Sequence, residues 1–127
     1  MMKKKTTLPY DFVLDRLQHL NPFIRPMFGC YAVYINEKLV LILRDRADHV
    51  DDNGVWIATS QEHHDELRQM FPSMRSVRLL GSRPTAWQNL PSSADDFESS
   101  VLDACDLILK NDRRIGKVPK KRKAKGS

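Results

Sequence analysis

The sequence predicts an α+β domain: an antiparallel sheet of about four to five strands with helices packed on one face, in the order α-β-β-β-α-β-β-α. Three observations carry this reading. Apolar residues recur at helical spacing near both ends of residues 8–110 and once between them. The intervening β-branched and aromatic runs are joined by segments too short for crossover helices, which favours local antiparallel pairing over a parallel βαβ arrangement. The run Leu39-Val40-Leu41-Ile42-Leu43 is apolar at every position, as expected of a central strand covered on both faces.

Each element follows from local chemistry. Thr7 stands where an N-cap belongs, Pro9 is tolerated in a first turn, and Phe12, Val13, Arg16, Leu17 and Leu20 share one helical face. Asn21-Pro22 ends that helix. Gly29 through Asn36, with Cys30 to Ile35 its apolar and aromatic run, and Leu39 through Arg44 read as two strands of a hairpin, separated at Asn36-Glu37-Lys38. Residues 45–54 form a polar loop with four aspartates (Asp45, Asp48, Asp51, Asp52), and Asn53-Gly54 signals a turn before the strand Val55-Trp56-Ile57-Ala58. Thr59 and Glu62 have capping-box spacing, so a helix is expected from there through Leu67 and Met70 to the Phe71-Pro72 stop. Residues 75–80 and 87–91 read as shorter strands. Ser92 or Ser93 then caps a last helix, with Asp95, Asp96 and Glu98 at its positive end and Phe97, Val101, Leu102, Cys105, Ile108 and Leu109 along its apolar stripe.

With 127 residues, 41% hydrophobic, and two cysteines, the chain has the size and composition of one folded domain without a disulfide framework. No apolar run approaches a bilayer span, and Lys3-Lys4-Lys5 leads into no apolar h-region, so a cytoplasmic location without membrane contact is expected. Charge is segregated. Residues 110–127 hold nine basic residues and one acidic one, whereas residues 8–109 hold nine basic against fifteen acidic, a net −6. The domain is therefore placed at residues 8–110, followed by a basic tail at 111–127 whose part from Lys117 onward lacks apolar periodicity and is expected to be disordered. Arg113, Arg114, Lys117, Lys120, Lys121, Arg122, Lys123 and Lys125 form a candidate polyanion site, binding nucleic acid through counterion release, or else a solubilising extension.

Catalytic and metal signatures are weak. His63 and His64 are adjacent, about 100° apart on a helix, and do not have the i, i+4 spacing of a zinc site, so exposed surface positions are expected. Cys30 and Cys105 lie in apolar contexts and read as small buried hydrophobes rather than nucleophiles. The aspartates of the 45–54 loop do not follow a calcium-loop register, and Gly116-Lys117 is not preceded by the glycine-rich loop of a phosphate site. No cofactor, metal site or enzymatic activity is expected.

One stretch carries a resemblance. Arg25, Met27, Phe28, Gly29 and Tyr31, running into the strand Leu39 to Leu43, match the R-x-M/L-F-G-x-Y opening of the TfoX (Sxy) N-terminal domain family, and Trp87-x-x-Leu90-Pro91 before an acidic-capped helix is similar to its closing element. The resemblance spans most of residues 8–110. It implies an α+β fold like that of the secretion-chaperone group, no established enzymatic activity, and, for full-length members, a role in switching on DNA-uptake genes beside a DNA-bound activator. The long 45–54 loop and the basic tail depart from the family pattern. Read for itself, the motif suits a fold-specifying corner: Gly29 permits a bend, Met27 and Phe28 are expected to plug the sheet-to-helix interface, and Arg25 to bond a carbonyl or acid. Exposure of Arg25 beside Arg44 or Arg78 would instead make an anion site. The expected role is a protein-interaction or accessory regulatory module, with homodimerisation through the sheet compatible with the pattern.

Overall fold

The computed structural model describes residues 8–79 and 86–118. Thr7, Leu80 and the tail residues Lys120, Lys121, Arg122, Lys123 and Lys125 lie outside the described residues. The fold is α+β, as predicted, with helices α1 (Phe12–Arg16), α2 (His64–Met70) and α3 (Phe97–Leu109). Six strands form one sheet: β1 (Phe23–Met27), β2 (Cys30–Ile35), β3 (Lys38–Arg44), β4 (Gly54–Ile57), β5 (Arg75–Ser76) and β6 (Gln88–Pro91). They lie side by side in the order β1-β2-β3-β4-β6-β5, and every pair is antiparallel.

The strand missing from the sequence reading is β1. Its polar and proline-containing run, Phe23-Ile24-Arg25-Pro26-Met27, suits only an edge, where a missing N–H costs no ladder bond, and β1 is indeed an edge strand. The segment expected to be a corner is a two-residue hairpin turn: Met27 pairs with Cys30, while Phe28 and Gly29 both take left-handed backbone (φ 53° and 78°). Glycine is favoured at the second position by its φ of 78°, which side chains rarely adopt, and a Cβ there would also have to displace the exposed Arg46 guanidinium.

The central strand is β3, as expected, and a register shift opposite Val33 and Tyr34 inserts Val40 into it. That extra residue places Val40 and Leu41 together in the main core and explains the unbroken apolar run. All three helices contribute to this core on one face of the sheet, through Val13 of α1, Leu67 of α2 and Val101, Ala104, Cys105, Leu107 and Ile108 of α3. Tyr10 and Phe12 meet Phe97 edge-on at 5.1 and 6.2 Å, fastening the N-terminal segment to α3.

Helix starts differ from their sequence signals. Thr59 does not cap α2: its hydroxyl donates to the Arg114 carbonyl at 2.6 Å, and a 3-10 turn over Gln61–His63 leads into the helix. Neither Ser92 nor Ser93 caps α3, whose N-cap position is Asp96. The strand expected over 75–80 shortens to Arg75–Ser76, because the next residues bond Asp52 instead of a strand: its carboxylate accepts from the amides of Arg78 (3.1 Å) and Leu79 (2.7 Å).

The folded body also runs past residue 110. Ile115 is buried in the main core, the Gly116 amide donates to the Ala58 carbonyl, and Lys117 pairs with Leu39 through two 2.9 Å backbone bonds. A single isoleucine and a one-residue bridge leave no periodicity, which is why this anchor reads as tail in the sequence.

Candidate functional site

The two faces of the sheet are finished differently. Directly opposed residues share a face, so the register places Arg25, Ala32, Ile42, Trp56, Asn89 and Arg75 in one row across the face turned away from the helices. A second, smaller core covers part of that face: Cys30, Ala32, Ile42, Trp56 and Val77 are buried, with Met27, Tyr34, Leu39 and Trp87 packed against them. Trp56 and Trp87 lie 6.2 Å apart, and the Trp56 indole N–H donates to the Asp52 carbonyl at 2.9 Å.

This second face holds a groove of about 290 Å³ between the β1–β2 turn and the segment after β5. Met27, Cys30, Ile42, Trp56 and Leu79 supply apolar walls, and Arg44, Arg46 and Asp48 close one end. Phe28 stands at the rim, 93% exposed, and Phe23 at the start of the adjoining edge strand β1 is 62% exposed. Phe28 therefore does not plug the sheet-to-helix interface; the hairpin turn lifts it out of both cores. Left-handed backbone in a residue with a bulky side chain costs about 1–2 kcal/mol, and asparagine or glycine is the favoured occupant of this turn position. Packing within the described residues does not repay that cost.

The charges around the groove are already committed. Arg44 is 1% exposed, yet its guanidinium donates to the carbonyls of His49 (2.9 Å) and Asp48 (3.0 Å) and to Asn53 Oδ1 (2.7 Å), so it pins the 45–53 loop. Arg46 and Asp48 form an exposed ion pair at 2.9 Å. Arg25 is exposed, but Arg44 is spent on the loop and Arg78 is paired with Asp51 at 3.3 Å, so the anion site conditional on these arginines does not form. Asp52, expected to be a solvated loop residue, is instead buried and bonded also to Arg75 at 3.2 Å. Burial pushes its pKa up, but the Arg78 and Leu79 amides and the Arg75 guanidinium outweigh it and hold the carboxyl below its ordinary value.

Both cysteines are buried, in agreement with the sequence reading. Desolvation raises the Cys30 pKa despite Arg44 and Arg46 nearby, and burial pushes the Cys105 thiol up to about 12. His64 departs from expectation: it is buried, with Nε2 3.3 Å from the Ala86 carbonyl oxygen, and burial lowers its pKa. His63 lies 3.2 Å from Glu62. Among the described residues no three His, Cys, Asp or Glu side chains are grouped to hold a metal ion.

The remaining sequence candidates separate by environment. Gly29 lies in the hairpin turn, Tyr31 packs at the edge of the main core, Leu90 is inside it, Pro91 ends β6, and Trp87 backs the groove through Trp56. Of the described cations after residue 110, Arg113 and Lys117 are exposed. Arg114 is chelated by Asp112 (Nε 3.0 Å, Nη2 2.9 Å) and faces Glu66, and the guanidinium hydrogen bond holds the Asp112 carboxyl down at about 2. An open cleft of about 690 Å³ around Glu62, His63, Glu66, Asp112 and Arg113 is thus lined largely by groups that pair with one another.

Sequence reasoning missed the groove. Its signal was present in Cys30, Ile42 and Trp56, apolar at the strand positions that face away from the helices, when three helices suffice for only one face. No helix among the described residues is long and apolar enough to cross a membrane. Compared with known proteins, the chain matches no family model, no curated protein and no solved structure.

Proposed function

We propose that this chain is a small non-enzymatic protein-interaction module, an accessory of the TfoX N-terminal type, that engages its partner with the second face of the sheet. One observation carries the reading: Phe28 projects 93% exposed from a strained turn at the rim of an apolar groove. Contiguous apolar surface of this kind is the usual mark of a recognition site. The neighbouring β1 edge is poorly suited to strand addition, because Pro26 interrupts its donors and Arg25 would oppose a like charge in a symmetric pair. Binding therefore uses side chains on the face rather than backbone on the edge.

The test is capture by the immobilised full chain with Phe28→Asn as the matched control, asparagine being at home in the left-handed turn position. A protein retained by the native chain and lost by the variant is the expected result; identical capture by both refutes the reading. A second reading rests on the exposed Arg113 and Lys117 at the stem of the basic tail, which suit polyanion binding through the residues that follow. It requires DNA binding that is lost on removing residues 117–127 and weakens steeply with salt.

A further inference from the structure

We propose that the partner at this face is a second copy of the chain, each copy seating its Phe28 in the groove of the other about a two-fold axis. The inference rests on the interaction reading above and identifies its partner. Three features favour self-recognition over a foreign protein. The knob and the hole are neighbours on one surface, so a single two-fold operation fills both grooves, which is the self-complementary contact that closed dimers need. The groove, at about 290 Å³ with apolar walls, has room for a phenyl ring, since an apolar cavity of roughly 150 Å³ already accommodates benzene.

The third feature is charge. Arg46 and Asp48 pair with each other at 2.9 Å within one copy yet keep side chains 41% and 55% exposed, so a two-fold passing beside them lets each meet the opposite charge of the other copy as well. Phe23 and Phe28 together offer roughly 300 Å² per copy, about half of the ~600 Å² per partner of the smallest stable interfaces, so the dimer is expected to be weak and concentration-dependent. Leu79, 39% exposed on the opposite wall, and the exposed stems of Arg25 and Arg46 extend the patch.

The experiment is sedimentation of the full chain across a concentration series, with tryptophan emission recorded in parallel, because Trp56 lines the groove. The native chain is expected to dimerise, with an emission shift that follows dimer formation. Loss of one aromatic anchor weakens an interface about thirtyfold, so Phe28→Asn, which removes two per dimer, weakens it about a thousandfold. Should that variant fold poorly, Arg46→Asp and Asp48→Arg supply an independent test: each alone associates less than the native chain, while the two mixed recover association, since only the mixed pair sets opposite charges across the axis. A native chain that stays monomeric, or a dimer indifferent to Phe28 and to the charge exchange, overturns the proposal. A monomer that still captures another protein in a Phe28-dependent way overturns only the self-recognition and leaves the interaction reading standing.

Discussion

Removing the carboxylate of Asp52 tests the most consequential polar contact in the fold. Three donors converge on it, the Leu79 amide at 2.7 Å, the Arg78 amide at 3.1 Å and Arg75 Nη1 at 3.2 Å, and the residue is 2% exposed. Hydrogen bonds to a charged group contribute about 1.5–3 kcal/mol each, but the donors are partly buried and regain some water when the acceptor goes. The Arg75 side chain, 26% exposed, recovers most, so its share is the smallest. Asp52→Ala is therefore expected to cost about 3–4 kcal/mol, a large part of the 5–15 kcal/mol typical of a domain. Asp52→Asn keeps one acceptor oxygen for Leu79 but turns an NH2 toward the other donors, and is expected to cost about 2 kcal/mol. Urea unfolding followed by Trp56 emission measures both, since that indole donates to the Asp52 carbonyl. A loss below about 1 kcal/mol for Asp52→Ala would refute the view that this carboxylate holds the 77–79 segment and, with it, the Leu79 wall of the groove.

Three further outcomes follow from the same physics. Ile115→Ala, which opens a cavity in the main core, is expected to cost about 2–4 kcal/mol, and truncation after Lys110 to lower the melting temperature sharply; an unchanged melting temperature would mean that residues 111–118 are only a tail. His64 is held below its ordinary value of 6.5 by burial, so the unfolded chain takes up this proton first. Its stabilising contribution is whole above about pH 6.5 and is lost as the pH falls, and urea midpoints at pH 8 and 5 should converge in His64→Gln. Equal pH sensitivity in the variant would exclude this origin. With its pKa near 12, Cys105 presents about one thiolate in ten thousand at pH 8 and should resist thiol reagents until the protein unfolds, while fast labelling of native protein at this position would contradict its burial.

The limits of the sequence lie in particular residues. Alternation and length sufficed for the hairpin of β2 and β3, for β4 and for α3, because their apolar patterns express burial directly. Trp87-x-x-Leu90-Pro91 likewise marked β6. Edge strand β1 escaped because an edge needs neither an apolar pattern nor every amide, and the turn after it escaped because phenylalanine occupies a position whose usual marker is asparagine. Asp52 and Arg44 look like loop and strand-end charges in one dimension; only their distant partners make them buried posts.

The sequence by itself determined the class of this protein, its central strand and its segregation of charge, since each depends on periodicity or count along the chain. The tertiary structure alone decided which apolar residues are spare. Met27, Cys30, Ile42 and Trp56 come to one face through antiparallel register, the hairpin turn adds Phe28, and the bond from the Leu79 amide to Asp52 brings in Leu79 from a distant segment of the chain. A side chain's burial is a property of what the fold places over it, and for Phe28 the described residues place nothing there.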